Sequence, residues 1–158
     1  MSSGTVFLLS FSIGIVAGLR SLTAPAVVAW AAHLGWINLR DSPLSFMASK
    51  WTVAVLTVLA LLELVADQLP KTPPRTAPIG LSARIVTGAV SGASLGVAGG
   101  VALWLGAVIG AIGAIGGAFA GYRARVGLVR AFRVPDFAIA IPEDVIAIGL
   151  GLVLASRF

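Results

Sequence analysis

At 158 residues the chain is long enough for one domain, but only 11% of it is charged while 58% is hydrophobic. A soluble domain of this size needs about twice that charged fraction to cover its core. Lipid removes the conflict, because apolar side chains can then face outward. The formal charge of +5 is carried by arginines and lysines that flank apolar stretches, so it reads as membrane topology and not as a nucleic-acid footprint. There is no cysteine and one histidine, His33, which removes disulfides, thiolate chemistry and histidine-cluster metal sites.

The first apolar segment covers residues 5–33 and contains Arg20 and Pro25. No basic residue precedes it, so it is read as a retained helix and not as a cleaved signal. It exceeds the roughly 20 residues that one span needs, which predicts a helix that is tilted or broken between Ser21 and Pro25. The second span, 51–69, carries Glu63 and Asp67 four residues apart, on one helix face. A proline-rich connector follows, from Pro70 to Pro78.

Ile85 to Tyr122 is a run of 38 uncharged residues. As one helix it would measure about 57 Å, nearly twice a hydrocarbon core of about 30 Å. It therefore divides into spans 82–101 and 104–123, with the turn near Gly99, Gly100 and Trp104. Arg123, Arg125, Arg130 and Arg133 form a basic loop, and 137–157 is the last span. The fold class is thus an all-α, polytopic transmembrane bundle of about five helices in a single membrane domain.

Alternation of five spans places Lys71, Arg75, Arg84 and the four arginines from 123 to 133 on one side. Arg40, Lys50 and Arg157 fall on the other, seven cations against three. The positive-inside rule then predicts a cytoplasmic N-terminus. Trp30, Trp36, Trp51 and Trp104 gather on the less basic side, as an interfacial aromatic belt would, and His33 is interfacial too. The basic-loop arginines are read as topology signals and as contacts to anionic lipid.

Gly88, Gly92, Gly96 and Gly100 recur every four residues, and Gly106, Gly110, Gly113, Gly117 and Gly121 trace a second face. Such faces predict a glycine zipper, with helix backbones in close approach. A glycine-lined pore would leave the same pattern. Ala17-Gly18-Leu19-Arg20 is echoed by Ala120-Gly121-Tyr122-Arg123, which raises an inverted-topology repeat of the kind seen in transporters.

Ionisable residues at membrane depth are the candidate site, because they are costly there and face a bundle interior or a wet cavity. They are Arg20, Glu63, Asp67, Arg84, Arg123, Glu143 and Asp144. The four acids could hold a hard cation through oxygen or relay protons. Structural readings stand beside this one. Pro142-Glu143-Asp144 would make an ordinary helix start, Asp67 could simply end its helix, and the acids could close ion pairs that lock the bundle.

No phosphate loop, zinc motif or nucleophile–base pair is present. The expected partners are the lipid bilayer, a small ion or polar solute, and a second copy in a homo-oligomer, with no nucleic acid and no cofactor. The residues point to a small transporter or channel-like protein. The alternative is a structural or accessory membrane protein, and lipid-headgroup binding or modification ranks third.

Four segments, GIVAGLRSLTAPAVVAW (14–30), ELVADQLPKTPPRTAPIGLSARIVTGAVSGA (63–93), GYRAR (121–125) and PEDVIAIGLG (142–151), resemble the domain-of-unknown-function 4126 family of small bacterial membrane proteins. The resemblance spans nearly the whole chain. It implies a membrane location and carries no substrate with it; the membrane expected is the bacterial inner membrane.

Overall fold

A computed structural model of the chain describes residues 1–67, 76–133 and 135–158, with the side chains of Asp136 and Phe137 outside the description. Lys71, Arg75 and most of the proline-rich connector therefore lie outside the described residues. The fold is all-helical. It comprises α1 (Ser3–Leu19), α2 (Thr23–His33), a short 3-10 turn (Ser45–Ala48), α3 (Lys50–Ala66), α4 (Pro78–Ala98), α5 (Leu103–Phe132) and α6 (Asp136–Ala155). Three of them, α4, α5 and α6 from Ala138, are long and apolar enough to cross a membrane.

Among the described residues there are six α-helices, close to the five expected, and the extra one arises because the first apolar segment breaks. Arg20 leaves α1 in an extended conformation, and α2 starts afresh at Thr23. Pro25 sits in the first turn of α2, where a missing N–H costs no helical bond. Pro78 opens α4 in the same way. The uncharged run turns where expected: Gly99 caps α4 and Gly100 takes φ +78°, a conformation that costs glycine little.

The expected basic loop is instead helical. α5 continues through Arg123, Arg125 and Arg130 and ends at Arg133, whose φ of 52° is left-handed. Arginine, alanine and leucine are good helix formers, and a cation in the last turn suits the negative end of the helix. Pro135 then caps α6. Pro142 lies inside α6, not at its start, so Glu143 and Asp144 are not the acids of a helix N-terminus.

Contacts fix the helix directions. Gly14 meets the backbone of Gly110, and Gly18 meets Ala114, Gly117 and Ala118, so α1 and α5 run parallel. Gly88 meets Gly110 while Gly92 meets Gly106, so α4 is antiparallel to α5, and to α1 as well. Ser21 and Leu22 touch Glu63, whereas Trp30 bonds Thr57, which sets α2 antiparallel to α3. Arg20 reaches Asp144, and Val27 lies beside Gly151, so α6 accompanies α2. For Asp144 to reach Arg20, α6 must double back along α5.

The chain therefore reverses at every connection, and the break at Arg20 is the tip of a hairpin. This overturns two expectations. An inverted repeat requires α1 and α5 to oppose each other, and they are parallel. Five alternating spans would put residue 1 beside the basic segment. Because α2 folds back, residue 1 lies at the opposite end, with residue 158 and the exposed Trp30, Trp36, Trp51 and Trp104.

α1, α4 and α5 form the tightest part of the bundle. Their glycines bring backbones into direct contact: a Cβ on Gly92 would lie 2.8 Å from the Gly110 Cα, and one on Gly96 3.1 Å from the Gly106 Cα. Ser10 adds a buried hydrogen bond, donating to the Gly92 carbonyl at 3.1 Å. The outer faces remain apolar. In α3 only Val53 is buried, and Trp51, Val55, Val58, Leu61, Leu62 and Val65 are exposed.

Candidate polar site at the α1–α2 hairpin tip

Breaking a helix inside an apolar bundle orphans carbonyls on one side and N–H groups on the other. Each set is met here by a charge of the matching sign. Glu63, in the last turn of α3, accepts from the Ser21 N–H (2.8 Å), the Ser21 hydroxyl (2.6 Å) and the Leu22 N–H (2.8 Å). Its carboxylate thus caps the positive end of α2 from a neighbouring helix. On the other side Arg84, buried in α4, donates from Nε to the Gly18 carbonyl at 3.2 Å and from Nη1 to the Gly80 carbonyl at 3.0 Å. A cation therefore sits at the negative end of α1.

Between these caps the Arg20 side chain is fully buried. Nη1 donates to Asp67 Oδ2, and Nη2 forms an ion pair with Asp144 Oδ1 that lacks the alignment of a hydrogen bond. Nε has no hydrogen-bond partner among the described residues. One arginine thus joins α3 to α6 at the hairpin tip. A second arginine backs the first pair: Arg125 Nη1 lies 3.7 Å from Glu143 Oε2, and Nη2 donates to the Asp67 carbonyl at 3.5 Å.

Six of the seven expected residues come together: Arg20, Glu63, Asp67, Arg84, Glu143 and Asp144. Arg123 does not join them. It is exposed and makes no ion pair among the described residues. Arg125 takes the place expected for it, and the sequence carried the signal. The glycine face of α5 continues by four residues from Gly121 to Arg125. Arg123, two residues before Arg125, is turned away by about 200°. Ser21 was also missed, since its part depends on Glu63 arriving from 42 residues away.

The caps also redistribute the acids. Glu63 faces α2 and not an arginine. Among the described residues no three acid or histidine side chains are grouped as a metal ion would need. Arg20, Arg84 and Arg125 stand against four carboxylates, one negative charge in excess among these seven. Arginine does not release its proton in proteins, so a proton or cation entering this cluster would go to a carboxylate.

Depth follows from α5. Trp104 marks the aromatic end, and Ala118 lies level with Gly18. The 14 residues between them span about 21 Å. The cluster therefore sits toward the basic end of the bundle.

No curated protein and no solved structure matches this chain. The family model described as domain of unknown function (DUF4126) matches residues 7–156, nearly the whole length, and the chain belongs to that family.

Proposed function

We propose that the chain is a multi-pass protein of the bacterial inner membrane, and that the hairpin-tip cluster is the cytoplasmic end of a route for an ion or small polar solute. Three long apolar helices and an apolar outer surface support the membrane reading. The positive-inside rule, applied to the observed helix directions, puts the end of α5 in the cytoplasm and residues 1 and 158 outside. A second copy of the chain, packed on the exposed faces, would help so small a bundle enclose a pathway.

The observation that carries the transport reading is an interrupted helix whose break holds a buried arginine between two carboxylates. Non-helical backbone at membrane depth is tolerated where it is buried in protein or lines a cavity. Broken helices of this kind build ion and substrate sites in transporters. Charges cost roughly 2.5–3.5 kcal/mol each at a helix centre, and part of that penalty applies to this cluster nearer the basic end.

Proteoliposomes loaded in parallel with proton-, sodium- and potassium-sensitive dyes test this reading. The wild-type protein is expected to dissipate an imposed proton, sodium or potassium gradient. Asp144→Asn should slow that flux at least tenfold while the helical content stays unchanged. Wild-type flux equal to that of empty liposomes for all three cations would defeat the transport reading for these ions.

A second reading has its own observation. The caps on α1 and α2 close within the chain, with Glu63 making three hydrogen bonds to one turn. An accessory protein whose charges lock the bundle would look the same. In that case Asp144→Asn lowers thermal stability and changes no flux.

A further inference from the structure

α5 outlasts the bundle it belongs to. Beyond Gly121 none of its residues is buried, and the helix runs on to Phe132. This arm carries four arginines, of which Arg125 turns inward to Glu143. Arg123, Arg130 and Arg133 are exposed. Arg123 and Arg130 are seven residues apart, so they stand about 10 Å apart along the axis and within about 20° of one another. Tyr122 and Val126 lie within about 100° of these two arginines, and Leu128 and Phe132 are exposed on the opposite side of the helix.

The acids whose side chains are described lie elsewhere. The chain has six acids: Asp41, Glu63, Asp67, Asp136, Glu143 and Asp144. Glu63 caps α2, Asp67 and Asp144 hold Arg20, and Glu143 faces Arg125. Asp41 precedes α3, at the aromatic end. The connector from 68 to 75 contains no acid and adds Lys71 and Arg75. Among the described side chains, then, no carboxylate meets Arg123, Arg130 or Arg133.

We infer that this arm binds the phosphodiester headgroups of anionic phospholipid, an inference that rests on the membrane reading above. Guanidinium matches phosphate oxygens in a two-pronged geometry. The apolar residues interleaved with the arginines suit the headgroup–acyl boundary. Continuity selects a lipid as the partner. The same helix presents Val108, Ile112, Ile115 and Phe119 outward before the arginines begin, so a bilayer covering those residues brings its surface to the arm.

The test titrates short-chain phosphatidylglycerol into the detergent-solubilised protein, with phosphatidylcholine and inorganic phosphate as parallel ligands. Liposome flotation reports insertion separately. Each basic residue near an anionic surface is worth about fivefold in affinity, about 1 kcal/mol. Arg123→Gln and Arg130→Gln should each weaken phosphatidylglycerol binding about fivefold, and the double variant about 30-fold. Arg40→Gln and Arg157→Gln, at the aromatic end, should leave it unchanged.

Equal affinity in the double variant, equal losses in the aromatic-end variants, or inorganic phosphate binding as tightly as the lipid would overturn the inference. A wild-type protein that inserts into liposomes without preferring phosphatidylglycerol overturns this inference alone. Failure to insert into any liposome overturns the membrane reading beneath it.

Discussion

Arg20→Met should destabilise the protein by about 3–5 kcal/mol, because it strands two carboxylates at a mostly buried site. Asp67 and Asp144 reach Arg20 from helices that otherwise meet little, so their mutual repulsion would open the bundle at the hairpin tip. The expected readout is a large fall in thermal unfolding temperature in detergent. Replacing all three groups together, Arg20→Met with Asp67→Leu and Asp144→Leu, should restore most of the loss, since apolar residues of similar volume often substitute for a buried ion cluster. If the single and triple variants melt alike, the cluster is not an electrostatic unit.

Gly110→Ala should be nearly as damaging, for a different reason. A Cβ there would be driven into the Gly88 carbonyl oxygen and would lie 2.9 Å from the Gly92 Cα. Both are backbone atoms, so no side chain can swing aside, and α4 itself must move. Overpacking of this kind costs about 1–3 kcal/mol, here at the upper end because Gly14 of α1 presses on the same residue from another side. Gly116 supplies the control, since a Cβ on it meets nothing within 4 Å. Gly116→Ala should be neutral or stabilise by up to about 1 kcal/mol through helix propensity. Paired melting curves check both; equal effects at the two positions would remove the glycine contacts from the account.

Apolar runs, proline positions and glycine spacing carry much of the helical architecture, because each acts locally. The turn at Gly99 and Gly100 was legible for that reason. The break near Pro25 was legible as a break, but its direction was not. Whether a chain continues or folds back at Arg20 depends on Glu63 and Arg84, 43 and 64 residues away in sequence, arriving to cap the two ends. That single ambiguity reversed the relation of α1 to α5 and created the illusion of an inverted repeat.

The site shows the same division. Cost arguments identified Arg20, Asp67 and Asp144 as residues that need company, and they found it in one another. The choice of Arg123 over Arg125 failed because charge density was read as a loop, although nothing between Gly121 and Phe132 breaks a helix. Once α5 is continued, its own periodicity turns Arg125 inward and leaves Arg123 outside. Glu63 eluded a pairing argument because its partners are backbone N–H groups, which no charge count reveals.

The hairpin at Arg20 brings the described passes to six, an even number, which returns residue 158 to the end that holds residue 1, so topology tests it directly. Reporter fusions placed at residue 1, directly after Arg133 and at residue 158 should give two answers. Residues 1 and 158 should agree and lie outside, while Arg133 should lie in the cytoplasm. A fusion at residue 1 that reports the same side as Arg133 would mean that segment 5–33 crosses once, and it would contradict the folded-back hairpin on which the cluster depends.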